Sequence, residues 1–186
     1  DGRQGVPGVL VTATTNEDVP FPQKVVADTV QAQAAIYFRT LRPTGWNDIG
    51  GPKYTGTHGS VMFWFRRTGS FRDEWTDWTN LINLHRRIRI HLDTLGHVIV
   101  EANNCDIKSK PLSLNEWYHV AVTFTNDSAT LYLNGQVAGG MKFSFDRWAS
   151  NGIGGRGSRG YEMADIRLYN YCMDSTEIKT TAVQIP

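Results

Sequence analysis

Aromatic and cationic side chains gathered in stretches that do not alternate like strands are the residues of this chain best suited to chemistry. Trp46 and Tyr54 fall in a segment, residues 42–60, that holds Gly45, Gly50, Gly51, Pro43 and Pro52. Arg72, Trp75 and Trp78 fall in residues 66–78, which also carry Asp73, Glu74 and Asp77. Arg156, Arg159 and Tyr161 fall in or beside the glycine-rich run 152–160. A flat exposed aromatic ring can stack on the C–H face of a sugar, while neighbouring Asp, Asn and Arg groups bond its hydroxyls and fix its orientation. An arginine fork pairs bidentately with a carboxylate, sulfate or phosphate, and glycines let backbone approach a ligand closely. These residues are therefore the carbohydrate-binding candidates. The plainer reading stands beside it: the same rings, Trp148 with them, fold back to seal the ends of a sandwich, and the glycine-rich run is a solvated turn.

Other chemistries find less support. The run 152–160 lacks the Lys-Ser/Thr and following helix of a phosphate-binding loop. No nucleophile elbow and no zinc-binding His-Glu-x-x-His occurs. Glycoside hydrolysis needs two carboxylates facing one bond across about 5–9 Å, and no strand carries a Glu-x-Asp-x-x-Glu series. A net charge of +1 gives no whole-molecule attraction to nucleic acid. No apolar run approaches the length of a membrane span. Cys105 and Cys172 do not have the spacing of a compact metal motif; they could form one long-range disulfide or remain two buried thiols. The sequence starts at Asp1-Gly2 without a leader, which reads as a processed or excised domain.

The elements that must position the loops are short strands. Residues 61–65, Val-Met-Phe-Trp-Phe, are apolar throughout, as in a strand buried on both faces. Residues 81–84, 88–92 and 98–100 read as strands, the last two joined as a hairpin through Asp93-Thr94-Leu95-Gly96. In that hairpin Ile88, Ile90 and Leu92 share one face, Arg89 and His91 the other. Residues 117–124 and 130–133 form a strand pair around a polar turn, and Asn134-Gly135 signals a further reversal. Trp117 and His119 alternate on one face, and a buried Trp and a hydrogen-bonded His account for them. Residues 9–13, 34–38 and 141–145 are further candidate strands, and 162–169 is the last. Asp165 and Arg167 are placed there as an ordinary ion pair. A short helix is expected after Asp174, with Glu177 three residues on. About a dozen short strands with Gly/Pro/Asn turns and no long helix argue for an all-β, two-sheet antiparallel jelly-roll sandwich. The length suits one domain, 1–186.

Four separated segments strengthen this reading. They are Glu116-Trp117-Tyr118-His119-Val120-Ala121-Val122-Thr123-Phe124, Leu131-Tyr132-Leu133-Asn134-Gly135, Ile153-Gly154-Gly155, and Ala164-Asp165-Ile166-Arg167-Leu168-Tyr169-Asn170 followed by Glu177-Ile178. With Ser60-Val61-Met62-Phe63-Trp64-Phe65-Arg66 upstream, their order resembles the laminin-G-like, concanavalin A-like lectin jelly-roll domains. Modules attached to some sialidases and trans-sialidases have a similar ending. The resemblance covers residues 60–178 clearly and 1–59 loosely. It implies two curved antiparallel sheets whose loops or concave face hold glycan, glycosaminoglycan or protein ligands. It also implies extracellular or surface exposure. Many members bind one Ca²⁺, though no Ca²⁺ motif is identifiable here. The expected function is a non-catalytic lectin-like module for cell-surface or matrix glycans or glycoproteins, sialylated or sulfated ones among them. A laminin-G-type protein-interaction module is the alternative, and a hydrolase or lyase on the same fold the third.

Overall fold

A computed structural model of the chain describes residues 27–28, 33–34, 47–48, 58–69, 78–84, 88–144, 152–153, 160–169 and 171–183. Thirteen strands and one helix are described. In chain order they are β1 (Ala27–Asp28), β2 (Gln33–Ala34), β3 (Asn47–Asp48), β4 (Gly59–Arg67), β5 (Trp78–Leu84), β6 (Ile88–Asp93) and β7 (Val98–Ala102). Then follow β8 (Cys105–Lys108), β9 (Trp117–Phe124), β10 (Ser128–Leu133), β11 (Gln136–Lys142), β12 (Gly152–Ile153), β13 (Tyr161–Tyr169) and α1 (Ser175–Thr181). Every pairing between these strands is antiparallel, and an isolated parallel bridge joins Arg67 to Leu114. One sheet runs β11-β10-β9-β4-β13, the other β3-β12-β5-β6-β7-β8, and β1 pairs with β2 alone. This is the expected jelly-roll sandwich.

Alternation decides which residues lie between the sheets. Val61, Phe63 and Phe65 of β4, Val120 and Val122 of β9, Leu131 of β10 and Met163 of β13 meet Ile82, Ile88, Ile90, Leu92, Val98 and Val100 from the opposite sheet. All are essentially sealed from solvent. Each such side chain contributes about 1.5–3 kcal/mol relative to exposure. The other side of β4 is apolar for a different reason. Met62, with Ala121, Tyr132 and Tyr169, forms a second cluster under Met173 and Ile178 of the C-terminal segment. The all-apolar run 61–65 thus serves two cores, one between the sheets and one beneath α1.

The helix is short, but its start is well fastened. Asp174 Oδ1 accepts hydrogen bonds from the Thr176 and Glu177 amides, at 2.7 and 2.9 Å, and Glu177 Oε2 accepts from the Asp174 amide at 2.8 Å. This is the reciprocal cap anticipated from Asp174 and Glu177. Ser60 ties the segment to β4: its hydroxyl donates to the Tyr171 carbonyl at 2.7 Å and accepts from the Met173 amide at 2.8 Å. Among the described residues no helix is long and apolar enough to cross a membrane.

Some element boundaries differ from expectation. β5 begins at Trp78, so that residue is in a strand and not a loop. β8 was not anticipated; its short Cys-Asp-Ile-Lys run lies at the sheet edge with one buried residue, Ile107, so apolar patterning was too brief to reveal it. β11 occupies 136–142, ahead of the expected 141–145. Its exposed Gln-Val-Ala-Gly-Gly sequence is held by backbone pairing to β10 across the Asn134-Gly135 turn, both residues at positive φ. Residues 9–13 and 35–38 lie outside the described residues.

Candidate functional site

The pairing of the six-stranded sheet brings three chain ends together. Ile153 pairs with Asn47 and with Ile82, while Gly152 pairs with Asp48 and Asn83. The start of β3, the end of β12 and the start of β5 therefore point toward one end of the sheet. Trp78, first in β5, stands in register with Asp93, last in β6. Trp46 is bonded to the start of β3, segment 154–159 leaves the end of β12, and segment 71–77 enters β5. Chain connectivity thus attaches Trp46 and the segments 71–77 and 154–159 to the same end, whereas Tyr54 follows β3 from its other end. Trp46, Tyr54, Arg72, Trp75, Arg156 and Arg159 themselves lie outside the described residues, as does Trp148.

The described residues at this end form a polar framework. Asp93 closes the β6–β7 hairpin: its Oδ1 accepts from the His97 amide at 2.8 Å, and its Oδ2 receives His97 Nδ1 at 2.8 Å and Lys108 Nζ at 2.8 Å. Burial alone would raise the Asp93 pKa, but the hydrogen bonds from Lys108 and His97 outweigh it and hold the carboxyl at about 2. Beneath the hairpin, the Arg67 guanidinium donates from Nη1 to the Leu112 carbonyl at 2.9 Å. Gly96, at φ +92°, lies against that guanidinium and permits the approach.

Farther along the outer surface of the same sheet, Arg89 is paired with Glu101, and His91 Nδ1 stands 3.9 Å from Glu101. Burial, reinforced by the Arg89 charge, lowers His91 to about 4 against the pull of Glu101, Asp93 and Asp106. On the other sheet Arg66 is paired with Glu162, and its guanidinium also sits 4.9 Å over the Trp117 ring. Arg167 holds Asp165 bidentately, at 2.6 and 2.8 Å.

Several sequence expectations are corrected here. Tyr161 is no exposed platform. It is 3% exposed, its ring lies 5.9 Å from that of Phe65, and its hydroxyl donates to the Asn80 carbonyl at 2.9 Å. It sits at the first position of β13, where alternation turns it into the core. Of the two readings of Cys105 and Cys172, free thiols hold and the disulfide does not, but the thiols are not both buried: Cys105 is half-buried and Cys172 exposed. Cys105 belongs to β8 at the edge of one sheet, whereas Cys172 follows β13 of the other and donates to the Phe124 carbonyl at 3.0 Å. Trp117 and His119 share a face as expected, but that face is turned away from the main core. Trp117 is only partly buried, and the buried His119 Nδ1 and Trp64 Nε1 find no hydrogen-bond partner among the described residues. The two rings meet edge-on at 5.3 Å. Asp165 and Arg167 are paired as expected, but across a β-bulge with Asp165 at φ +50°.

Asp93, His97 and Lys108 were not singled out in the sequence. Asp93 to Gly96 reads simply as a hairpin turn. The usable signal was Asp93 and His97 four residues apart across a glycine turn. Lys108 could not be joined to them without β8. Among the described residues no group of three or more His, Cys, Asp or Glu side chains is arranged to hold a metal ion.

Comparison with solved structures gives a consistent fold. The chain is similar to the receptor-binding domain of botulinum neurotoxin type G, with 14% identity over 68% of this chain and 38% of that one, at a TM-score of 0.52. It is similar to the Trypanosoma rangeli sialidase in complex with the inhibitor DANA, with 15% identity over 82% of this chain and 28% of that one, at 0.58. It is also similar to the binding domain of botulinum neurotoxin DC in complex with SialylT, with 12% identity over 74% of this chain and 39% of that one, at 0.54. The chain thus spans well under half the length of each. No curated protein matches. A laminin G family model, described as the concanavalin A-like lectin/glucanases superfamily, matches residues 43–179. That span is well over half of the chain, begins ahead of Ser60 and includes both sheets, and the chain belongs to this superfamily.

Proposed function

We propose that this chain is a single, non-catalytic carbohydrate-binding domain that acts outside the cell, attaching to sialylated or sulfated glycans through one end of its six-stranded sheet. The observation that carries this reading is the common direction of the start of β3, the end of β12 and the start of β5. Through them Trp46, Trp75, Arg72, Arg156 and Arg159 are tethered to one end of a rigid scaffold, where stacking rings and arginine forks can act on one ligand. The similar neurotoxin domain in complex with SialylT, and the similarity to a sialidase, support an acidic sugar. Four carboxylates of the described strands, Asp93, Glu101, Glu162 and Asp165, are each committed to a cation, which counts against their use as general acid or nucleophile.

A glycan array carrying sialylated, sulfated and neutral oligosaccharides, read with Ca²⁺ and with a chelator, tests this reading. Selective acidic hits that disappear in Trp75→Ala or Arg156→Ala, in variants with unchanged melting temperature, are expected. Retention of the hits in both variants would move the site away from this end. A protein-interaction module is the second reading, favoured by a similar structure of the neurotoxin DC binding domain in complex with rat synaptotagmin II, at 12% identity and a TM-score of 0.52 over 74% of this chain and 39% of that one. A blank array would favour it.

A further inference from the structure

We propose that His97 and Lys108, both held by Asp93, form a described subsite for an acidic sugar at this same end, with Lys108 meeting its carboxylate or sulfate and His97 a neighbouring hydroxyl. The inference rests on the carbohydrate-binding reading and adds residues to it.

One carboxylate organises both groups. Asp93 Oδ1 takes the His97 amide at 2.8 Å and lies 3.0 Å from His97 Nδ1. Asp93 Oδ2 takes His97 Nδ1 and Lys108 Nζ, both at 2.8 Å. Asp93 is therefore fully engaged and is a positioning residue. It fixes the two groups relative to each other, since atoms both within 2.8 Å of one oxygen cannot be farther apart than twice that distance. It also fixes the imidazole orientation. A carboxylate facing Nδ1 keeps a proton on that nitrogen and leaves Nε2 turned away from Asp93, an acceptor in the neutral ring and a donor in the imidazolium, and a sugar hydroxyl can bond it in either form. Lys108 carries three donors, of which Asp93 uses one. Its side chain is 44% exposed, whereas those of His97 and Asp93 are 15% and 14%. The result is an anchored, partly dehydrated imidazole edge beside an ammonium with two donors left over.

The position matches the tethered loops. His97 adjoins the first residue of β7, and its carbonyl accepts from the Asp93 amide at 3.1 Å. Trp78 is in register with Asp93 on the neighbouring strand. With about 4.8 Å between strands, the backbones of β5 and β7 are about 10 Å apart, so the start of β5 and His97 lie within reach of one ligand. An ammonium and a hydroxyl-bonding imidazole nitrogen in fixed relation discriminate an acidic sugar from a neutral one. The hairpin turn does not require the distal half of the imidazole, because the His97 amide already closes it on Asp93.

Two substitutions of His97 separate its ends. In His97→Asn the side-chain amide retains the bond to Asp93 but nothing occupies the Nε2 position; in His97→Gln the amide reaches toward that position. Calorimetry of wild type, His97→Asn, His97→Gln and Lys108→Met with sialyllactose, a sulfated disaccharide and lactose is the test. Expected are a loss of tenfold or more for at least one acidic probe in Lys108→Met, with lactose unaffected, a several-fold loss in His97→Asn, and partial recovery in His97→Gln. Independently of ligand, nitrogen NMR of the wild-type imidazole is expected to show a proton on Nδ1. If Trp75→Ala or Arg156→Ala abolishes binding while His97→Asn and Lys108→Met bind like wild type, the subsite is wrong and the wider reading stands. An unprotonated Nδ1 overturns the role of His97. If the wild type binds none of the three probes, the acidic-sugar assignment fails together with the reading beneath it.

Discussion

Gly96 shows how much a single backbone position does at the loop end. Its φ of +92° is one that side-chain-bearing residues rarely adopt, and a Cβ there would collide with the Arg67 guanidinium, with the Leu112 carbonyl at 3.2 Å. Gly96→Ala is expected to destabilise by about 1–3 kcal/mol, from backbone strain together with displacement of Arg67. Gly140→Ala is the control, because a Cβ there makes only ordinary contact, 3.7 Å from the Ala129 carbonyl. Urea midpoints would compare the two, and equal shifts would remove the argument. Residue-scale roles were the least legible in the sequence. Tyr161 reads as a loop ring because its glycine neighbours hide the start of β13, and it is a core residue. Cys105 and Cys172 read equally well as bridge or thiols, since sequence separation alone does not say which sheet each belongs to.

Elements are more legible than single residues. Strands β4, β5, β6, β7, β9, β10 and β13 can be read because each carries at least three residues of clear apolar patterning. What escaped were elements defined by pairing alone. β8 and β11 have mostly exposed side chains, and β3 and β12 are two residues each. The last two are the elements that align the candidate segments, so grouping Trp46 with Arg156 required the sheet register. The helix was legible through its cap. Asp174→Ala removes both of the Asp174 side-chain hydrogen bonds and is expected to cost about 1 kcal/mol, within a range of 0.5–2. Because α1 seals the Met62–Tyr132 cluster, dye binding to exposed apolar surface should rise in this variant before the main unfolding transition. A single unchanged transition without extra dye binding would show that the cap is not limiting.

For the whole molecule, two buried histidines set the response to acid. His91 and His119 are each lowered from 6.5 to about 4, by burial first and then by Arg89 and Arg167 respectively. An unfolded chain takes up these protons as the pH falls through 6.5, whereas the folded chain resists until about 4. Stability is therefore lost across that window, by up to about 1.4 kcal/mol per pH unit for each histidine. Asp93 acts lower: held near 2 against a usual 3.8, it stabilises above pH 3.8 and loses that contribution as the pH falls through 2. Melting temperatures from pH 7 to 4 should fall steeply in the wild type and less in His91→Gln and His119→Gln. A flat wild-type profile would exclude neutral burial of both rings.

The clasp between Ser60 and the Tyr171–Met173 backbone has a mechanical meaning for a domain proposed to attach to surfaces. β4 and β13 are antiparallel neighbours, so Gly59 at the start of one and Tyr169 at the end of the other lie at the same end of the pair. Tension entering at Gly59 and leaving at Tyr169 would load their cross-strand hydrogen bonds one after another, as a zipper opens, and not all at once in shear. Ser60 fastens the first tooth: its two bonds to the C-terminal segment must break before the peel can start. Single-molecule pulling through residues 59 and 169 is expected to give a lower rupture force in Ser60→Ala than in the wild type, and equal forces would mean that resistance arises elsewhere.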